Sequence, residues 1–409
     1  MLGLLNAKKK AARIQTGDVH LIKDLNERLV LNLIRTHETI SGADLAALTG
    51  MRPSTISNLL KDLAAQSLII NLGKGESTAR GGKKPFLWSL NKEALFAVGL
   101  DVEVDEVSAV VLDMGSNIVG RNVYKRAVVT NYDEVVAHVH EAIASILAEC
   151  RVPRERIAGL CLAVAGVVDH HKGVIRLTDV FSQRNIPLLE HLRPHYAFPL
   201  VLENNANAAA IGAKWFGNNK GSTDYLTVLV EIDRNVGGMG VGLVLNNELY
   251  RGATFCAGEL NIRLPMIGDL LRSLRPQFDK GVILRDYKDA IEVLDIFTLI
   301  DAAKQGDKIA LSFFDALGHI IGKSLAKPVA LINPEKIILA GDIAEIGARI
   351  LEPLRAAIAP EILNLVAETL QFEVAEYGRD SVAIGAAALI LNEFFKMPMV
   401  TQQESLAPQ

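Results

Sequence analysis

The stretch "FAVGLDVEVDEVSAVVLDMGSNIVGRNVYKRAVV", Phe96 to Val129, alternates short β-branched runs with turns such as Met114-Gly115-Ser116-Asn117. Such alternation predicts antiparallel strands joined by tight turns, a β-meander. A second meander begins at "DYLTVLVEID" (224–233) and continues through "GGMGVGLVLNNELYRGA" (237–253). Behind the first come a helix around residues 132–150 and strands at "IAGLCLAVAG" and "PLVLEN". The last of these opens into the Ala-rich helix "NAAAIGAKWFG". Behind the second come long helical stretches, including "ALSFFDALGHIIGKSLAKPVALI", and the strand "KIILAG". The pattern predicts an α/β body made of two copies of one unit facing a cleft.

Residues 1–92 are different. They carry 14 Lys/Arg against 7 Asp/Glu, seven positive charges in surplus, whereas the remainder carries 29 against 40, a surplus of eleven negative charges. A basic head on an acidic body points to a polyanion that meets the head alone. In the head, Leu25, Leu29 and Leu33 share one helical face with Val30 and Ile34 beside them. A second helix starts after Ser41, a good cap, and stops at Gly50. A third begins near Pro53, with Ile56, Leu59, Leu60 and Leu63 as its apolar stripe. Its other face offers Ser54, Thr55, Ser57, Asn58 and Lys61, short polar groups for base edges and a cation for phosphate. This is the pattern of a helix-turn-helix. "SLIINLGK" and "PFLWSL" then read as the strands of a wing, whose connecting loop brings Arg80, Lys83 and Lys84 to a backbone or minor groove. The alternative, a small helical bundle with solvated charges, does not account for the turn, the wing and the local charge together.

The head "LNERLVLNLIRTHETISGADLAALTGMRPSTISNLLKDLAAQSLI", with the following "GGKKP", resembles the N-terminal domain of the ROK-family regulators. In the body, "LENNANAAA", "GVGLVLNNELYRGA…AGEL", "INPEKIILAGDI" and "DSVAIGAAAL" extend the resemblance over nearly the whole chain. The resemblance implies a winged helix-turn-helix followed by a duplicated actin- or hexokinase-like (ribonuclease H-like) ATPase fold. It also implies a sugar in the cleft and, in enzymatic members, ATP. The expected divisions are a DNA-binding domain at 1–92, body halves at 93–203 and 204–398, and a disordered tail at 399–409. One departure lies at Arg52-Pro53, where the family usually has Ser-Arg; Arg52 then joins the expected DNA contacts, and the operator sequence does not transfer.

The kinase chemistry of the family is not expected here. A sugar kinase needs a carboxylate to take the proton of the attacking hydroxyl. The resemblance puts that base at Asn205, and an amide accepts no proton near neutral pH. The first phosphate loop of the family matches "DVEVD", where Glu103 and Asp105 repel a polyphosphate unless a cation intervenes. The second, "NVGGMGVG", keeps its glycines, while Ala340-Gly341-Asp342 replaces a glycine pair near the adenosine site. The family's zinc motif, a His and three cysteines, is absent, with Ile262 at the His. No catalytic residue, metal or cofactor is therefore expected. By resemblance, Asp179, Asn204, Asn205 and Glu259 remain as sugar contacts, with a helix cap as the competing role for the asparagines.

The expected function is a sequence-specific regulator, by resemblance a repressor, that binds operator DNA as a homodimer or higher homo-oligomer and senses a sugar or sugar derivative. Two rivals are an active sugar kinase fused to a DNA-binding head and a regulator controlled by a protein partner with a vestigial cleft. No apolar run is long enough to span a bilayer, and the order of "MLGLLNAKKKAARIQ", apolar before basic, is wrong for a secretory signal. Cys150, Cys161 and Cys256 are widely spaced and odd in number. They fit a reducing cytoplasm without disulfides and are expected to be small buried residues.

Overall fold

The computed structural model describes residues 19–75, 84–103, 105–125, 132–178, 184–216, 222–233 and 236–397. Arg80, Lys83, Asp179 and the tail 399–409 lie outside the described residues.

The head is built from α1 (Val19–His37), β1 (Ile40–Ser41), α2 (Gly42–Thr49), α3 (Pro53–Ala65), β2 (Ile69–Lys74) and β3 (Phe86–Leu90). Ser41 Oγ accepts from the Asp44 amide at 3.1 Å and starts α2. Gly50 ends it in the left-handed region at φ 69°, a conformation that costs glycine nothing. Pro53 opens α3 at a position that needs no amide donor, and Arg52 before it makes no side-chain cap. Ile56, Leu59, Leu60 and Leu63 are buried as their spacing predicts. Strands β2 and β3 pair antiparallel as the wing. The two-residue β1 joins them in the order β1-β3-β2 and is too short for any periodicity to announce.

The body begins with β4 (Phe96–Val102), β5 (Glu106–Asp113), β6 (Ile118–Lys125), α4 (Tyr132–Glu149) and β7 (Ile157–Val164). A small hairpin, β8 (Val167–Asp169) and β9 (Val174–Leu177), precedes α5 (Leu188–Leu192), β10 (Leu200–Asn204) and α6 (Asn205–Phe216). Then come β11 (Tyr225–Asp233), β12 (Val236–Leu245), β13 (Glu248–Tyr250), α7 (Ile267–Leu274), α8 (Ile296–Lys304), α9 (Lys308–Ile332) and β14 (Lys336–Gly341). The chain closes with α10 (Leu351–Ile358), α11 (Asn364–Thr369), β15 (Gln371–Val374) and α12 (Ser381–Phe395).

The two sheets run β10-β7-β4-β5-β6 and β15-β14-β11-β12-β13. In each, the first strand of a meander pairs antiparallel with the second and parallel with a later strand, β4 with β7 and β11 with β14. The repeat, weak in the sequence, is thus complete in the topology, and the body has the duplicated actin- or hexokinase-like architecture.

Each strand sorts its side chains by the two-residue pleat. On β4, Val98, Leu100 and Val102 join the core beneath α4, while Ala97, Gly99 and Asp101 turn inward. On β11, Leu226, Val228 and Val230 face the core of α7–α10, while Leu229 turns inward. Between the sheets lie α6 and α12. They approach so closely that a Cβ on Gly385 would sit 1.9 Å from the Ala208 carbonyl oxygen. The last helix, α12, packs on β4, β5 and β7 of the first sheet, and α6 packs on β11 and β12 of the second. The last helix therefore returns to cover the first sheet.

Two expectations need correction. By length and composition α9 is apolar enough to cross a membrane. Its Phe313, Leu317, Ile321 and Leu325 are buried in the second core, so the apolar content is spent on packing. Of the cysteines, only Cys161 is buried; Cys150 is half-buried, and Cys256 is exposed on the loop after β13.

Candidate functional site

The exposed side of α3 carries Ser54, Ser57, Asn58 and Lys61, with Thr55 half-buried and Arg52 exposed just before it. Lys84 is exposed at the foot of the wing. The buried stripe holds α3 against the head core, so its polar side faces outward as a unit.

The head is fastened to the body at the end of α12. Arg28 donates to the carbonyls of Phe394 and Lys396 at 2.7 and 2.9 Å, and Asn32 donates to that of Phe395 at 2.8 Å. A helix C-terminus leaves its last carbonyls without partners, and α1 supplies the donors. The Arg35 guanidinium lies 4.6 Å from the Trp215 ring centre and 4.7 Å from that of Phe395. Its Nε is buried without a partner. Trp215 stands near the end of α6, and α6 starts at Asn205. One helix thus spans from the asparagine turn to the head, about 18 Å at 1.5 Å per residue.

At the start of α6, Asn204 Oδ1 accepts from the Asn207 amide at 3.0 Å, and its Nδ2 donates to the Gly166 carbonyl at 2.9 Å. The capping role weighed for this residue is present in the structure. Glu203 is buried between the halves. Its Oε1 accepts from the Asn204 amide and from Asn207 Nδ2, and its Oε2 accepts from Arg251 Nε and Nη2 at 2.8 and 2.6 Å. Arg251 belongs to the loop after β13, so this ion pair ties the first half to the second. On the same loop Phe255, at φ 64°, meets the rings of His170 and His171 edge-on at 5.2 and 5.7 Å. His170 Nδ1 is buried without a partner. Burial and the nearby Arg251 hold this imidazole down to about 4, so it is neutral near pH 7. Glu259 is exposed at the end of that loop.

Asn205 turns the other way. Its Nδ2 donates to Glu231 Oε2 at 2.8 Å. Glu231 lines a cavity of about 310 Å³ with Glu103, Asp105, Glu106, Asp342, Lys125 and Arg379. The oxygens of Asp101, Glu103 and Glu231 lie within 4.8 Å of one another. Burial, then mutual repulsion, raises all three carboxyls, Glu103 to about 9 and Glu231 to about 7. Asp342 Oδ2 accepts from the Ile232 amide, and Arg379 pairs with Asp342 and Glu106 at 3.1 and 3.3 Å. A larger cavity, about 510 Å³, lies at the opposite end of α6 beside Gly212, Phe216 and Tyr377.

The sequence-predicted residues therefore divide. Asn204 and Asn205 are neighbours in the chain but serve different walls, and the acidic loop 101–106 meets Asn205 through Glu231. Glu203, Arg251, His170, Phe255 and Glu231 were not anticipated as site residues. The spacing of Glu203 and Asn207, four apart at a helix start, was the one local signal for any of them.

A family model described as "ROK family" matches residues 97–261 and 280–393. A putative xylose repressor of Caldicellulosiruptor is 26% identical over 407 residues, covering 93% of this chain and 99% of the relative. The Escherichia coli DNA-binding transcriptional dual regulator NagC is 23% identical over 393 residues, covering 92% and 94%. Among solved structures, a ROK family transcriptional regulator described as a homologue of the E. coli MLC protein superposes with a TM-score of 0.74. It is 18% identical and covers 92% of this chain and 97% of its own.

Proposed function

This chain belongs to the ROK family, and from that premise we propose that it is a sugar-responsive transcriptional repressor without kinase activity. The observation that carries the reading is α3. Its apolar stripe is buried and its polar side is presented outward on a head with a surplus of positive charge. Ser54, Thr55, Ser57 and Asn58 read base edges in the major groove. Arg52, Lys61 and the wing cations Arg80, Lys83 and Lys84 hold phosphates or enter the minor groove. The chain acts in the cytoplasm as a homodimer on half-sites about one helical turn apart.

The effector is a sugar or sugar derivative. Relatives named for xylose and for N-acetylglucosamine support the class and leave the identity open. Asn204 and Glu259, with Asp179, supply hydroxyl contacts. The rings of His170 and Phe255 supply an apolar wall, and the partnerless His170 Nδ1 supplies a further hydrogen bond. Asn205 orients Glu231 and takes no proton from a hydroxyl. A ligand that favours one arrangement of the Arg251 loop biases α6, and through Trp215 and Arg35 biases the seating of the head.

The test is fluorescence anisotropy with the DNA upstream of the chain's own gene, with and without a panel of pentoses, hexoses and N-acetyl sugars. The expected result is salt-sensitive binding that one sugar weakens at least tenfold. Binding no tighter than to random duplex, or ATP-dependent sugar turnover at ordinary enzyme rates, ends the reading.

A further inference from the structure

The acidic cavity between the sheets invites a ligand the family resemblance does not supply. Asp101 and Glu231 lie near the carboxyl ends of β4 and β11, the first strands of the two meanders. Crevices at such strand ends are where open α/β sheets bind ligands. Polyphosphate does not fit, because Glu103, Glu231 and Asp342 line the space and would repel it.

We propose that Asp101, Glu103 and Glu231 hold one divalent cation of the hard, oxygen-preferring class, Ca2+, Mg2+ or Mn2+, which bridges the two halves of the body. Two ligands of one ion stand no further apart than twice the metal–oxygen distance, about 4.8 Å for Ca2+ and about 4.2 Å for Mg2+. The three carboxylates supply oxygens within 4.8 Å of one another.

A second observation is independent of that spacing. Asp101 is 3% exposed on β4, the central strand of its sheet, and among the described residues no donor bonds to its carboxylate. An isolated buried carboxylate is expensive to keep, and this one is directed at Glu103 and Glu231. The guanidinium that lines the cavity, Arg379, is committed to Glu106 and Asp342. Asn205 holds one oxygen of Glu231 and so fixes the direction of the other. Loss of the kinase base and gain of carboxylates where phosphates would sit then belong to one change: a polyanion site converted into a cation site.

The inference rests on carboxylate geometry, so neither sugar nor operator enters its test. The full chain is stripped with EDTA, dialysed, and titrated with Mn2+, free Mn2+ being counted by electron paramagnetic resonance. Calorimetry with Ca2+ and with Mg2+ gives the preference. The expected result is one saturable ion per chain, with affinity lowered at least tenfold in both Glu231→Gln and Asp101→Asn. Glu231→Gln keeps an acceptor for Asn205, and circular dichroism confirms its fold, so a misfolded Asp101→Asn does not decide the matter. Absence of a saturable ion in the wild-type chain, or one ion retained at unchanged affinity in Glu231→Gln, overturns the proposal.

Discussion

The side-chain amide of Asn205 donates to Glu231 Oε2 at 2.8 Å, joining the start of α6 to the end of β11. The residue that the family resemblance sets at the kinase base is thereby matched to a carboxylate on the second sheet. An aspartate there would offer an acceptor to an acceptor. The variant N205D should lose about 1–3 kcal/mol of stability at pH 8, and less at pH 6, where Glu231 keeps its proton. Denaturant unfolding at both pH values measures this. The same variant should gain no sugar phosphorylation in a coupled ATP assay.

The ion pair of Glu203 and Arg251 is buried on the carboxylate side, 2% exposed against 24% for the arginine. Removing the arginine leaves the buried carboxylate with no countercharge on Oε2, its Oε1 still held by the Asn204 amide and Asn207. R251M should cost about 3–5 kcal/mol. It should also free the loop bearing Phe255 and abolish the response to sugar before it abolishes operator binding. A thermal melt and the anisotropy titration report the two effects separately.

Arg35 packs between two rings, its Nε is buried without a partner, and among the described residues it makes no ion pair. R35A should cost about 1–2 kcal/mol. Operator affinity should change less than threefold, because α3 is untouched. The sugar-induced loss of affinity should shrink, and a titration of operator with and without effector checks the coupling.

Within α3 the two kinds of contact should separate by salt. K61A should weaken binding about equally on all sequences and flatten the salt slope by about one unit. N58A should cost about 1–3 kcal/mol on the operator and little on random duplex. A finding that N58A weakens both alike would remove this residue from base reading.

The acidic cavity makes stability depend on pH in a definite direction. Glu103 is raised from 4.5 to about 9 and Glu231 from 4.5 to about 7, with Asp101, Glu106 and Asp342 raised as well. The folded chain thus keeps protons that the unfolded chain has released. Stability from these groups is full below about pH 4.5 and falls as pH rises toward 9. Beside Glu106, Arg379 and Lys125 hold its carboxyl down while Asp105 pushes it up, so the cations reduce the fall. In EDTA the melting temperature should drop between pH 6 and pH 8.5. Millimolar Ca2+ or Mg2+ should recover most of the drop, and E231Q should flatten the profile.

Much of the fold was legible because it is written in short periods. The pleat of β4 and β5 and the i, i+3, i+4, i+7 stripe of α3 each need only a dozen residues to declare themselves. The cap at Ser41 and the stop at Gly50 are single-residue signals with a backbone cause. The site was less legible because its partners are distant in the chain. Nothing near Asn205 names Glu231, and nothing near Glu203 names Arg251. His170 and Phe255 meet only because β8 and the loop after β13 fold to one place. Cys256 was expected inside, as cysteines usually are, and its loop carries it to the surface.

The return of α12 to the first sheet sets the order in which the protein can fold. The first sheet emerges from the ribosome early, yet α12, which covers its inner face, is the last of the described elements in the chain. Until α12 is made, Ala97, Val110 and Leu112 have no lid, and the carbonyls that receive Arg28 and Asn32 do not exist. A nascent chain must therefore hold its front half unfinished and its head unseated. A message broken before α12 yields a product whose α3 is intact but whose head has no seat.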